Sequence, residues 1–188
     1  MYDRKMIPAL IAGIALGLVG CAGEAQVRDK LTEAGWKAEP TLSGAESETG
    51  DVSPRSCRPL FEMLNRQNGH DDVSGYRHAR RRSSYLLVRK WSQGPSGSPG
   101  PALADAARSC PRMTMDYGPT ELDYSIKVVK GNDADTRVLL TATESGDPVT
   151  TMLVAELVDG RRHTLVRVMN PSRLGKADRA AVDLITGR

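Results

Sequence analysis

The sequence predicts an α+β domain: an antiparallel sheet with helices packed on one face, and a helix pair stapled by a disulfide. Three observations predict it. Cys57, Leu60, Phe61 and Leu64 recur at helical spacing and give one apolar face. The Ala-rich run 102–110 (ALADAARSC) has strong helix propensity, puts Leu103, Ala106, Ala107 and Cys110 on one side, and is closed by Pro111. From Arg112 onward, runs rich in β-branched and aromatic residues alternate with turn signals, as in a meander.

The chain starts with an address. Arg4 and Lys5 are followed by the apolar run Met6–Gly20, which is shorter than the roughly 20 residues of a spanning helix and has the length of a secretory h-region. Leu18-Val19-Gly20-Cys21 resembles a bacterial lipobox, in which small residues admit a peptidase and the thiol takes the lipid. The resemblance implies residues 1–20 as a signal peptide, cleavage before Cys21, and an acylated N-terminus on the outer face of a cell membrane; an ordinary signal peptide or an uncleaved anchor is the alternative. More than one acyl chain makes such anchoring stable.

Residues 21–51 read as a flexible tether rich in Glu, Gly, Ser, Thr and Ala. Within it Asp29–Trp36 fits a short helix stopped by Gly35, and Trp36 reads as a minor packing contact. Residues 52–188 read as the folded domain. Ser53 and Pro54 suit the cap and first residue of its first helix, with Pro59 still in the early turns. The segment 72–84 is polar, and Tyr85–Trp91 is strand-like. Residues 93–101 can only be a loop. Strands are expected at 112–116, 121–129, 136–143, 150–158 and 162–169; Asp159-Gly160 is the strongest hairpin signal. A last helix, 176–185, offers Ala177, Ala180, Ala181, Leu184 and Ile185 to the sheet.

Composition narrows the function classes. The chain has 188 residues, 39% hydrophobic and 26% charged, enough for one core. Aromatic content of 4% leaves no stacking platform for single-stranded nucleic acid. The net charge of +3 implies no acidic partner. Of three cysteines, Cys21 is claimed by lipid; Cys57 and Cys110 form an even pair in an oxidising compartment and read as a disulfide, with free thiols or metal ligands as the alternatives. No Gly-x-Ser-x-Gly, HExxH or phosphate loop is present, no cofactor or metal is expected, and the domain reads as non-enzymatic.

Three polar features remain. His70-Asp71-Asp72 suits a metal or acid/base corner or a solvated helix end. Glu121 and Asp123 share a strand face, as a carboxylate pair or a wet sheet edge. Arg77, Arg80, Arg81 and Arg82 form the densest charge run, read either as contact with anionic lipid headgroups or wall polymers or as a solvated loop.

The order of lipobox, tether, SPRSCRPLFEMLN helix, strand, ALADAARSC helix, antiparallel sheet and final helix resembles the actinobacterial sensor-domain-like lipoproteins, related to the extracellular domain of the PknH-type Ser/Thr kinase. The resemblance spans Val52 to Ile185 and rests on element order and on the Cys-Arg-Pro-Leu and Ser-Cys-Pro positions. It implies a cleft between sheet and helices that meets a small ligand or an envelope component. The kinase's second disulfide has no counterpart here, and only the cysteine pair carries over. The expected function is a non-catalytic binding or sensing lipoprotein, whose partner is a small molecule, a lipid or an envelope protein and not nucleic acid; the alternative is a lipid or glycolipid carrier with a deep apolar cavity.

Overall fold

Among the described residues the strands build a single nine-stranded sheet, antiparallel throughout. The computed structural model describes residues 19–40, 51–65, 71–80, 84–92, 102–116, 118–131, 135–171 and 173–187. Its strands are β1 (Trp36–Ala38), β2 (Asp51–Ser53), β3 (Asp72–His78), β4 (Tyr85–Ser92), β5 (Arg112–Asp116), β6 (Glu121–Gly131), β7 (Asp135–Glu144), β8 (Asp147–Asp159) and β9 (Arg162–Asn170). Its helices are α1 (Val19–Glu33), α2 (Arg58–Asn65), α3 (Leu103–Arg108) and α4 (Lys176–Ile185). The strand order is β1-β3-β4-β9-β8-β7-β6-β5-β2. Among the described residues no helix is long and apolar enough to cross a membrane.

The helices do not share one face, which corrects the expected layering. Met152, Val154, Leu165, Val138 and Leu140 point to a core with Leu60, Leu64, Leu103 and Ala107, under α2 and α3. Their neighbours Leu153, Ala155, Val166 and Val168 point the other way, to Leu31, Trp36, Ala181 and Val182 under α1 and α4. Strands β8 and β9 are therefore apolar on both sides, which explains why their period of two is loose in the sequence.

On the first face Cys57 and Cys110 are joined, 53 residues apart in sequence with Cα atoms 4.9 Å apart. The bond ties the 3₁₀ turn leading into α2 to the chain just beyond α3. The first helix starts later than the sequence suggests: residues 51–53 pair with β5, Pro54 is extended (ψ 161°), and helix begins only after Cys57. On the second face the inward residues of α4 are Asp178, Ala181 and Val182, while Ala180 is exposed. The carboxylate of Asp178 accepts the Gly175 N–H at 2.6 Å and closes the N-terminus of α4.

The expected tether is part of the domain as far as residue 40. Leu31 and Trp36 are 1% and 0% exposed, and β1 pairs with β3. Gly35 makes the corner between α1 and β1 at φ +89°, where a side chain would be strained and would meet the ring of His78. The sequence shows only Val27, Leu31 and Trp36 on the inward side, too sparse a stripe to mark a docked helix. Residues 41–50 of the expected tether lie outside the described residues.

Candidate functional site

Between α1 and the sheet lies a half-open cleft of about 570 Å³, within the range of roughly 300–1,000 Å³ for small-molecule sites. Its wall on the sheet is written by strand alternation. Asp72, Ser74 and Tyr76 of β3 project to the same side and line it. The register sets Asp72 beside Lys90 of β4, and Lys90 beside Thr164 of β9, so a polar row crosses three strands. The next row inward pairs Ser74 with Val88, and then Tyr76 with Leu86. The lining thus turns from charged to apolar with depth.

Helix α1 supplies the opposite wall through positions three and four apart: Glu24, Val27, Arg28 and Leu31. Ile185 of α4 completes the apolar part. Glu24 forms an ion pair with Lys90 across the cleft, with Glu24 exposed and Lys90 half-buried. Such a pair adds little stability and can be exchanged for a ligand. Two carboxylates (Glu24, Asp72) and two cations (Arg28, Lys90) give a neutral rim.

The opposite face carries a buried polar chain. Glu156 of β8 accepts the Leu103 N–H at 3.0 Å and holds the start of α3; its other oxygen lies 3.3 Å from Nδ1 of His163. The His163 ring stacks on Trp91 with centroids 4.9 Å apart, and the Arg89 guanidinium lies over the same Trp91 ring, 4.7 Å from its centroid. Arg89 donates to the Met63 carbonyl at 2.7 Å, and Arg167 to the Leu64 carbonyl at 3.3 Å, closing the C-terminus of α2. Burial pulls the Arg89 pKa below its ordinary value; Asp71, 3.8 Å away, pulls it back up. These groups are spent on fixing the two helices to the sheet.

The residues singled out in the sequence are dispersed. Cys21 lies in α1, and nothing further is described of it. Arg77 sits in β3, bonded to Glu39 at 3.3 Å and to the Tyr85 hydroxyl at 3.0 Å, with its guanidinium 4.5 Å from the Tyr85 ring centroid. Arg80 is exposed; Arg81 and Arg82 lie outside the described residues, as does His70. Asp71 and Asp72 point to opposite faces, one toward Arg89 and one into the cleft, so they form no corner. Among the described residues no group of three His, Cys, Asp or Glu could hold a metal ion. Glu121 and Asp123 lie on the open face, where Asp123 accepts the Thr114 hydroxyl at 2.7 Å. That side of the sheet carries another depression, of about 470 Å³, whose lining includes Thr114, Asp123, Ser125 and Thr141 together with Pro54, Met113 and Tyr124.

The resemblance implies a cleft between sheet and helices, and the sequence marks strand β4 in its wall, but neither points to α1 or β3. The period of two in Asp72-Val73-Ser74-Gly75-Tyr76 and the four-residue spacing of Val27 and Leu31 were the available signals.

No protein-family model matches the sequence, and no curated protein matches it. Among solved structures the chain is similar to the extracellular domain of PknH from Mycobacterium tuberculosis, with TM-score 0.54 and 11% identity over 87% of this chain and 89% of that one. It also aligns with an uncharacterised protein from Mycobacterium smegmatis, the Rv0999 ortholog, with TM-score 0.43 and 12% identity over 86% of this chain and 92% of that one. The likeness to the first is one of fold: this chain has a PknH-extracellular-domain-like fold.

Proposed function

We propose that the chain is a lipoprotein anchored through Cys21 on the outer face of the cell membrane, and that its domain binds a ligand without turning it over. The observation that carries the reading is the cleft between α1 and β3–β4, with a charged rim over an apolar floor. The lipobox, the disulfide suited to an oxidising compartment, and a fold shared with an extracellular domain support it. The acid–base neighbours Glu156, buried, and His163, half-buried, are engaged in holding α3 and stacking on Trp91 and do not face the cleft.

The test is native mass spectrometry of protein purified from its own membrane. The expected result is an acylated Cys21 and a retained small molecule that is displaced when Val27→Trp fills the cleft. Protein with a free Cys21 thiol, recovered in the cytosol, overturns the anchoring; a retained molecule unaffected by Val27→Trp overturns the cleft.

The carrier reading draws on Val27, Leu31, Val88 and Ile185, which give the cleft an apolar floor. A carrier needs that floor to enclose whole acyl chains, and the cleft is half-open with charges at its mouth. Exposed Arg80 supports an added contact with anionic headgroups.

A further inference from the structure

The position of the anchor relative to the cleft carries an inference about the ligand, and it rests on the lipoprotein reading above. We propose that the cleft takes the zwitterionic phosphate–ammonium headgroup of a membrane glycerophospholipid, drawn from the leaflet that holds the anchor.

The first argument is placement. Gly23, the first residue lining the cleft, follows Cys21 by two positions in α1, about 3 Å along a helix axis at 1.5 Å per residue. Helix α1 is docked through Leu31 and continues into buried Trp36, so it is a rigid foot and not a leash. Acyl chains on Cys21 therefore hold the cleft mouth at headgroup level, where lipid is the most concentrated solute.

The second argument is charge. The rim sets Arg28 and Lys90 against Glu24 and Asp72. A phosphate satisfies the cations and an ammonium the carboxylates. A headgroup with negative charge alone leaves two carboxylates facing it, and a neutral sugar offers a counter-charge to neither sign. The Glu24–Lys90 pair spans the cleft, and a zwitterion replaces each member's partner like for like. Below the rim, Val27, Leu31 and Val88 receive the glyceryl and first acyl carbons.

The experiment uses the full acylated chain in phosphatidylglycerol nanodiscs doped with photoactivatable phosphatidylethanolamine or photoactivatable phosphatidylglycerol. Cross-links to peptides of α1 and β3–β4 are expected at least about tenfold more often with the ethanolamine lipid, a difference of the size one well-made polar contact produces. Lys90→Gln, at a half-buried position, and Val27→Trp should each remove most of that preference while the thermal midpoint holds. Equal labelling by the two lipids, or a preference untouched by Lys90→Gln, overturns the proposal. Dihexanoylphosphatidylethanolamine should compete far better than free phosphoethanolamine; equal competition overturns the membrane source. A Cys21 found unacylated while the short-chain lipid still binds removes the anchor and leaves the headgroup assignment standing. An acylated Cys21 with no lipid preference does the reverse.

Discussion

Trp36 of β1 stands opposite His78 of β3 in the ladder, and their rings meet edge to face with centroids 5.1 Å apart. Trp36 is wholly buried, and Nδ1 of His78 accepts the Arg80 N–H at 3.2 Å. Through this contact a segment whose composition is that of a tether becomes an edge of the sheet. Trp36→Ala should cost about 3–5 kcal/mol, as for other large-to-small core changes. Urea unfolding followed by far-UV circular dichroism measures it. A loss below about 1 kcal/mol, the size of an ordinary surface change, shows β1 to be peripheral.

The Cys57–Cys110 bond closes a loop of 53 residues. Replacing both cysteines by serine should cost on the order of 4 kcal/mol by the chain-entropy model. Comparing unfolding midpoints of the wild type with and without reductant gives the same quantity independently.

Glu156 is 5% exposed and accepts a backbone N–H that no side chain of α3 itself caps. Glu156→Leu should leave the Leu103 N–H unsatisfied and cost about 1–3 kcal/mol. Hydrogen exchange should rise first across 103–108. An increase spread evenly over the sheet speaks against a local anchoring role.

Arg89 lies against Asp71 with side chains 8% and 5% exposed. Arg89→Met keeps the apolar bulk but leaves a buried carboxylate without its cation, a change that costs about 3–5 kcal/mol in buried pairs. The double variant with Asp71→Asn should recover much of the loss, and thermal melts of the four proteins read the coupling directly.

Cys21→Ser should move the protein from the membrane to the soluble fraction of an envelope preparation and leave the melting temperature of the folded domain unchanged. A shift in melting temperature of several degrees, about 1 kcal/mol for a domain of this size, indicates that the cysteine also supports α1.

The second half of the chain was legible because its physics is local. Strands 112–116 and 162–170 and the helix 176–185 agree with the sequence pattern to within a residue, and the hairpin at Asp159-Gly160 forms with Gly160 at φ +59°. In the first half β4 and α2 were legible as well, but α1, β1 and β3 were not, because those elements are held by distant partners. Strand β3 has few apolar residues and is fixed by pairing to β4 and β1. Helix α1 has a thin apolar stripe and is fixed by the sheet and α4. The cleft takes α1 and β3 as walls, so its location was hidden for the same reason. Arg77 was visible only as charge; its position in β3, between Glu39 and Tyr85, comes from the ladder.

The two outermost strands are each three residues long, with Lys37 in one and Asp51 in the other. Long, flat, unpaired borders invite neighbouring copies to zip together. These stubby charged hems keep encounters between copies from growing into fibres. Losing β1 would bare the seven-residue flank of β3, so Trp36 guards dispersal as well as folding.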